Sequence, residues 1–179
     1  MRARSPWSFE EAREYARSFG FKDQAEYREY RCPGAYALPR DPDKAFAAEW
    51  TSWGDFLGSF QQVLFVQVGW GADQHGQNVT KAAVRAARNA IEFNSIPSIA
   101  AIVPGSYANM LLRISIAAPE KYHHALDKTA VAAVFPYGNI IACDIQPGGA
   151  VFSSGIAIEA MGDTSEDMIV VNVGVVVGY

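Results

Sequence analysis

The segment from Met168 to Val177 constrains the fold most, because it is apolar at nearly every position. A strand with one face in water alternates apolar and polar side chains, whereas a strand that is buried on both faces reads as a continuous apolar run. The segment therefore predicts a strand whose two faces both need a cover. Helices of the same chain would cover one face, and either the N-terminal part of the chain or a neighbouring subunit would cover the other.

The apolar pattern between residues 62 and 179 predicts several strands and two helices. The turn residues Gln146-Pro147-Gly148-Gly149 fit a type II turn, so the strands on either side are expected to form a hairpin. Adjacent strands with only two helices indicate an α+β fold, namely a mostly antiparallel sheet with two helices on one face. The helices are expected at about residues 78 to 93 and just after Asp127, and the strands at about residues 62 to 68, 111 to 117, 139 to 146, 150 to 160 and 168 to 177.

Residues 1 to 58 predict a small helical module that precedes an α+β oligomerising domain of residues 59 to 179. Ser8 and Asp23 each stand three residues before a glutamate, which is the capping-box pattern of a helix N-terminus. A third short helix is expected to open at Asp41-Pro42, because proline is tolerated in the first helical turn and aspartate is a good cap.

The N-terminal module is rich in aromatic residues for its length. We expect these rings to form a small core, because a unit of fewer than about 60 residues needs large side chains to bury enough apolar area. The alternative is a platform on which peptides or nucleic-acid bases stack. Glutamates interleave with the arginines of the same helices and weaken the field that a phosphate backbone would need. The rings belong to Trp7, Phe9, Tyr15, Phe19, Phe21, Tyr27, Tyr30, Trp50, Trp53 and Phe56.

Polar side chains concentrate where the first strand gives way to an alanine-rich helix. Loops at such junctions often carry function, because a strand and a helix fix both of their ends. Free N–H groups at the start of the helix can hold an anion beside a lysine, but aspartate and asparagine there can equally cap the helix. Both interpretations stay open. The candidate ligand-binding residues are Asp73, His75, Gln77, Asn78 and Lys81, together with the hydroxyl-bearing Ser153 and Ser154.

The chain gives little support to a metal or a cofactor. It has three histidines and neither a cysteine-rich nor an HExxH spacing, so we predict no metal site. The glycines around Trp70 and His75 do not form the GxGxxG fingerprint, so we predict no dinucleotide site and no cofactor. Lys81, Arg85 and Arg88 share one helix face, which predicts either a solvated stripe or ion pairs between subunits.

Several separated blocks between residues 62 and 179 carry a further signal. They are Gly69-Trp70-Gly71, Asp73, His75-Gly76-Gln77, Thr80-Lys81-Ala82-Ala83, Arg85, Asn89-Ala90-Ile91, Asn94-Ser95-Ile96-Pro97, Val134-Phe135-Pro136-Tyr137-Gly138, Met168-Ile169-Val170-Val171-Asn172 and Gly178-Tyr179. In this order they resemble a family of uncharacterised single-domain bacterial proteins, the Lin-type conserved hypothetical proteins. The resemblance implies no activity. Because such proteins occur without an N-terminal unit, it implies that a neighbouring subunit covers the second sheet face.

Thr80-Lys81 and Gly148-Gly149 are also distantly similar to one unit of the ring-opening amidohydrolases. Those enzymes join three similar α+β units in one chain, so the similarity implies a trimer here. It further implies a serine nucleophile beside a lysine, yet Pro147 stands where the serine would be. The nearest hydroxyl groups are those of Ser153 and Ser154. Hydrolysis of an amide or a cyclic imide is therefore an alternative function.

Three blocks of the N-terminal module carry another resemblance: Pro6-Trp7-Ser8-Phe9-Glu10-Glu11-Ala12-Arg13, Glu26-Tyr27-Arg28-Glu29-Tyr30 and Trp50-Thr51-Ser52-Trp53-Gly54-Asp55-Phe56-Leu57-Gly58. They are similar to one copy of the phage-integrase repeat unit, tandem copies of which precede some recombinases. With one copy and no recombinase domain behind it, the resemblance implies a module for recognition or assembly. It is compatible with a protein partner.

The composition of the chain limits which partners and which cellular compartment are expected. The net charge of −4 makes nucleic acid an unexpected partner, because non-specific affinity for it comes mainly from neutralised phosphates. No apolar run reaches the ~18 residues of a membrane span, so none is expected. Cys32 and Cys143 are far apart and form no CxxC pair. The simplest expectation is the cytoplasm or an organelle interior with reducing conditions.

These observations predict a homo-oligomer, a trimer or a higher assembly, that binds a small polar or anionic ligand in a cleft between subunits. A pocket lined by the polar loop would favour ligand binding or hydrolysis. A junction between subunits that is filled by side chains and leaves no pocket would favour a third function, namely a structural scaffold that carries the N-terminal module.

Overall fold

A computed structural model describes residues 7–30 and 38–179 of the protein. Its centre is a five-stranded mixed sheet. The last strand, β5, pairs antiparallel with β1 on one side and with β2 and β4 on the other. The remaining pair, β2 and β3, is parallel. The predicted α+β fold with a mostly antiparallel sheet is therefore confirmed. The strands are β1 (Val63–Asp73), β2 (Leu111–Ala118), β3 (Asn139–Pro147), β4 (Ala150–Ser153) and β5 (Asp167–Gly178).

The long helix α5 (Val79–Glu92) packs on β1 and β5. Its buried side is almost entirely alanine, which lets the helix axis approach the sheet closely. Gly69 and Gly71 complete this contact, because a Cβ atom at either residue would overlap the helix backbone. The sheet face that α5 covers is called the inner face below.

The same helix protects the edge of the sheet. β1 is an outer strand, and such strands carry unpaired backbone groups that invite pairing with other chains. The backbone N–H of Trp70 donates to Oδ1 of Asn89 at 3.0 Å. The guanidinium of Arg85 donates to the carbonyl oxygen of Ala72 at 2.5 Å. Side chains of α5 thus satisfy part of the β1 edge.

Two shorter helices complete the inner layer. They are α6 (Ile99–Ile102) and α7 (Lys128–Ala132). Asp127 caps α7 by accepting from the N–H of Thr129 at 2.8 Å. Val131 and Ile99 pack into the same apolar core as the inner side chains of β2 and β5. The expected arrangement of helices on one sheet face is confirmed, and no helix in the described parts of the chain is both long and apolar enough to cross a membrane.

The opposite sheet face, called the outer face below, is largely open. Its side chains follow from the register, which pairs Val66 with Val176, Val68 with Gly174 and Trp70 with Asn172. Val66, Val68 and Trp70 are 60%, 70% and 63% exposed. Along β5 the inner side chains are buried and the outer ones are half-buried. A single copy of the chain therefore covers only one face of the strand that was expected to be buried on both.

The predicted hairpin between β3 and β4 is wrong. β3 pairs with β2, whereas β4 crosses the end of β2 and pairs with β5 from Ala150 to Ser153. The crossing is tight, because a Cβ atom at Gly148 would lie 2.8 Å from that of Ala117. A type II turn of residues 146–149 would need a positive φ at its third residue, Gly148. The residue with a positive φ is instead Gly149, at +65°.

The N-terminal module consists of short helices. The capping box of Ser8 and Glu11 is confirmed at the start of α1, and Asp23 caps α2 by accepting from the N–H of Glu26. Asp41 makes no capping hydrogen bond through its side chain, so the expected cap of α3 is wrong. The helices are α1 (Phe9–Ser18), α2 (Gln24–Glu29), α3 (Pro42–Ala45) and α4 (Trp53–Leu57). Sequence patterns did not predict α4, which Ser52 caps.

The aromatic side chains of this module form a small core, as the first interpretation predicted. Phe9, Phe21, Tyr27 and Phe56 are buried, and their rings contact one another and Trp53 at centroid distances between 5.5 and 6.4 Å. These rings are not exposed as a stacking platform would need. Burial raises the phenolic pKa of Tyr27 well above its ordinary value, so the phenol stays protonated at neutral pH.

The module rests against one end of the outer face. Leu111 is fully buried, and a Cβ atom at Gly54 would lie 2.7 Å from its side chain. Arg113 donates to the carbonyl oxygen of Gly58 at 3.2 Å, and Arg17 donates to that of Ile141 at 3.4 Å. The module therefore covers the end of the sheet around Leu111 and leaves Val68 and Trp70 exposed.

Candidate functional site

One carboxylate connects the loop after β1, residues 74–78, to a second loop, residues 154–166, which joins β4 to β5. Asp163 accepts from the backbone N–H of Gly76 at 2.7 Å and from that of Ile158 at 2.8 Å. Its Oδ2 also lies 2.9 Å from Nδ1 of His75. The Asp163 side chain is 1% exposed and that of His75 is 27% exposed. The imidazole is thus oriented by a buried carboxylate and reaches solvent with part of its ring.

These hydrogen bonds hold the pKa of Asp163 well below its ordinary value. The largest cause is the N–H of Ile158, followed by His75 and the N–H of Gly76. Hydrogen bonds that favour the charged form lower a carboxyl pKa in this way. No sequence pattern singled out Asp163, because it lies in a polar loop, Gly162-Asp163-Thr164-Ser165, that reads as an ordinary turn.

Gln77 fastens the same two loops through its amide. Its Nε2 donates to the carbonyl oxygens of Ser165 and Asp167 at 3.2 and 3.1 Å, and its Oε1 accepts from the N–H of Thr164 at 2.8 Å. The backbone of Gln77 has φ +45°, a region that residues other than glycine rarely adopt. The amide contacts are a physical reason why this conformation persists.

Asp73 forms a charged cluster at the start of α5. Its carboxylate is 1% exposed, while the side chains of Lys81 and Arg85 are 52% and 50% exposed. The distances from its Oδ1 to Nζ of Lys81 and to the Arg85 guanidinium are 3.0 and 3.2 Å. The two cations are therefore paired inside the chain rather than forming a simple solvated stripe. One carboxylate faces two cations, so the cluster keeps an excess of positive charge.

The capping interpretation of Asp73 and Asn78 is visible in these contacts. Oδ1 of Asn78 accepts from the N–H of Lys81 at 2.8 Å, as an N-cap does. Asp73 accepts from the N–H of Asn78 at 2.9 Å. The same groups can both cap the helix and face a ligand, because Lys81 keeps half of its surface in water.

Ser153 and Ser154 lie near the Gln77 contacts but are engaged elsewhere. The hydroxyl of Ser153 donates to the carboxylate of Glu166 at 2.8 Å, and that of Ser154 lies 2.9 Å from the carbonyl oxygen of the same residue. Among the described residues, neither hydroxyl forms a hydrogen bond with Lys81 or His75. The structure therefore unites Asp73, Asn78 and Lys81 in one cluster and His75 and Gln77 in the next. The two serines lie at the end of β4, where the second loop begins.

A third charged group borders the second loop. Asp167 accepts from Nζ of Lys121 at 2.5 Å and from the hydroxyl of Tyr122 at 2.7 Å. These two hydrogen bonds lower the pKa of Asp167. Within residues 7–30 and 38–179, no group of three or more His, Cys, Asp or Glu side chains has a geometry that could hold a metal ion. The clusters offer cations, an oriented imidazole and amide groups to a ligand.

Comparisons with known proteins identify the family of the C-terminal part. The model of a family described as conserved hypothetical protein (Lin0512_fam) matches residues 63–177. An FtsZ-like protein of unknown function from Nostoc punctiforme has a similar crystal structure, with a TM-score of 0.58 and 32% sequence identity over 65% of this chain and 93% of its own. The chain matches no curated protein.

The two comparisons name neither an integrase repeat nor a ring-opening amidohydrolase, so those two resemblances stay predictions. The matched segment begins at β1 and ends in the last strand, and it contains the glycines under α5, the polar loop and Asp163. Since the match extends over more than half of the chain, the protein belongs to the Lin0512 family of conserved hypothetical proteins.

Proposed function

We propose that the protein is a homo-oligomer, most simply a trimer, that binds a small polar or anionic ligand where its subunits meet. The observation that carries this proposal is the open outer face, on which Val66, Val68, Trp70 and Phe152 are each more than half exposed. Contiguous apolar surface of this kind on a folded protein marks an interaction site.

The size of the outer face suits a subunit interface. Four strands about 4.8 Å apart and about eight residues long, at ~3.3 Å per residue, cover on the order of 500 Å² in projection. Side-chain relief raises the accessible area toward the ~800 Å² that each partner contributes to a standard interface. The N-terminal module is an insufficient cover, because it reaches only the end of the face around Leu111.

The chemistry of the ligand follows from the charges beside this face. Trp70 lies on the outer face, and three residues later Asp73 opens the cluster with Lys81 and Arg85. A second subunit seated on the outer face would therefore border the polar loop. The excess positive charge and the partly exposed His75 ring favour a small carboxylate, phosphate or imide.

The oligomer is tested by light scattering coupled to size-exclusion chromatography at micromolar concentration. The wild-type protein should be an oligomer, and Val68→Asp should dissociate it into folded monomers, because a charge cannot be buried unpaired in an interface. Phe93→Asp is the matched control, since Phe93 is 81% exposed at the far end of α5. A wild-type protein that is a monomer under these conditions excludes the proposal.

Substitutions at Val173 and Val175 of the apolar last strand would not distinguish a monomer from an oligomer. Both side chains are buried on the inner face beneath α5. An aspartate at either position would disrupt the core of a monomer and of an oligomer alike. Only outer-face positions such as Val68 isolate the interface.

The ligand site is tested by a thermal-shift screen against small carboxylates, phosphates and cyclic imides. A compound that binds the native state raises its melting temperature, and the rise grows with the logarithm of the compound's concentration above its Kd. His75→Ala and Lys81→Ala should abolish that rise and leave the oligomer intact. Arg88→Ala is the control, because Arg88 is exposed on the same helix. If no compound stabilises the wild type, the scaffold function replaces ligand binding.

The oriented imidazole favours a second candidate function, the hydrolysis of an amide or cyclic imide. His75 contacts the buried carboxylate of Asp163 in the way that a general base is held by its orienting partner. Ser153 and Ser154 would need a rearrangement to serve as nucleophiles, because both contact the loop around Glu166. Release of product from a cyclic imide by the wild type, and its loss in His75→Gln, would establish this activity.

A further inference from the structure

A cavity of about 370 Å³ lies between the inner sheet face and the C-terminal end of α5. Phe65, Gln67 and Val175 line it from the sheet, and residues 94–97 and 135–137 close it. The polar loop lies at the opposite end of α5, so this cavity is a separate site. Its two closing segments are among the blocks that the family signature contains, yet the proposed function uses neither of them.

The walls of the cavity select for a neutral molecule. Most of the lining side chains are apolar, among them Ile99, Met110 and Leu112. Gln67, Asn94 and Ser95 are polar, and none of the lining residues carries a charge. A charged ligand would lose its hydration without gaining a counter-charge, which is costly. The volume falls near the lower end of the ~300–1,000 Å³ typical of small-molecule sites.

Gln67 is the polar side chain that the inner face of β1 contributes to the cavity lining. Its register partner is Val175, so its side chain points toward the helical layer. In the described part of the chain its amide group has no hydrogen-bonding partner. A primary amide offers a donor beside an acceptor. A lactam, amide or imide edge of a ligand offers the complementary pair.

Two tyrosines shape the mouth of the cavity. The rings of Tyr107 and Tyr137 lie 5.0 Å apart between centroids at an interplanar angle of 32°. They are 38% and 59% exposed, so they lie on the solvent side of the cavity. Aromatic rings of this kind pack well against a planar aromatic ligand.

We propose that this cavity binds a neutral, planar aromatic or heteroaromatic molecule whose amide or lactam edge pairs with the Gln67 amide. The hydrocarbon walls hold the ring system, and the tyrosine pair covers it. This site is independent of the polar loop, and the two can be occupied at the same time because they lie at opposite ends of α5.

The proposal is tested with three probes of similar size: carbostyril, which has a lactam edge, naphthalene, which has no polar group, and naphthoate, which is charged. Two-dimensional NMR titrations of the full chain measure affinity and locate the site. Carbostyril should bind most tightly and shift signals of the cavity lining. Gln67→Leu should weaken carbostyril at least about tenfold, because both hydrogen bonds between the paired amide edges are lost, and leave naphthalene unchanged.

Two further variants keep the result interpretable. Tyr137→Ala should weaken carbostyril several-fold without unfolding the protein, because this ring is mostly exposed. Gln61→Leu, an exposed glutamine outside the cavity, should change nothing. The proposal is overturned if no probe gives a saturable shift at the cavity lining, if naphthoate binds as tightly as carbostyril, or if Gln67→Leu affects carbostyril and naphthalene equally.

Discussion

Gly71 lies so close to Ala82 that a Cβ atom at residue 71 would overlap the carbonyl oxygen of the helix residue. Gly69 stands in the same relation to Ala86. The pattern of two glycines in β1 facing alanines in α5 is therefore explained by packing, since it lets the helix lie directly on the strand. Close packing here positions Asn78, which opens the helix, beside Asp73, which ends the strand.

Gly71→Ala is expected to destabilise the fold by about 1–3 kcal/mol, the usual cost of overpacking a close contact. Gly174→Ala is the matched control, because Gly174 lies on the outer face and a Cβ atom there would meet nothing within 4 Å. Urea denaturation compares the two variants. Equal stabilities for both would contradict the packing explanation.

The local part of this architecture could be predicted from sequence. Ser8 and Asn78 cap their helices as their residue types indicate, because a cap depends on residues within one helical turn. The alanine side of α5 likewise follows from periodicity. These features need no knowledge of distant contacts.

The remainder depends on contacts between distant parts of the chain. The partner of β4 could not be read from the turn at Pro147, since the two following glycines allow the chain to cross the end of β2 as easily as to fold back. Asp163 meets His75 and Gln77 across 88 and 86 residues of sequence, and no local pattern encodes that meeting. The cavity beside Gln67 is equally a product of tertiary packing.

Stability should depend on Asp163 in acid. Its folded pKa is lowered by the N–H groups of Ile158 and Gly76 and by His75, whereas an unfolded aspartate has a pKa of about 3.9. The carboxylate therefore contributes stability above about pH 4, and this contribution is lost as pH falls toward the folded pKa. Urea unfolding between about pH 3 and pH 7 should show that Asp163→Asn is less stable than wild type at neutral pH and that the difference shrinks in acid.

Asp144→Asn serves as the control for this profile, because Asp144 is exposed on β3. It should leave the acid limb of the curve unchanged. If the difference in unfolding free energy between the wild type and Asp163→Asn is as large at about pH 3 as at about pH 7, the Asp163 carboxylate contributes nothing to the pH dependence.

The protein truncated to begin at Ser59 should still fold. The match to the relative from Nostoc punctiforme covers 93% of that protein but only 65% of this chain. That relative therefore folds with little beyond the part that the two proteins share. The truncated form should melt at a lower temperature, because Leu111 loses its cover and burying a leucine is worth about 1.5–3 kcal/mol. Circular dichroism during heating measures this. Leu111→Ser in the truncated form should increase its solubility, because it replaces a newly exposed apolar side chain. An unfolded truncation would make the two-module organisation wrong.

The cap of α5 can be separated from any ligand-binding role. Asn78→Ala removes the hydrogen bond from the Lys81 N–H to Oδ1, which measures 2.8 Å, and should lower the free energy of unfolding by about 0.5–2 kcal/mol in the absence of any ligand. Asn78→Ser retains a capping oxygen and should lose less than half as much. Thermal and urea unfolding of both variants provide the measurement. Equal losses in the two would mean that Asn78 acts through contacts other than the cap, and no loss in either would mean that Asp73 alone fixes the start of the helix.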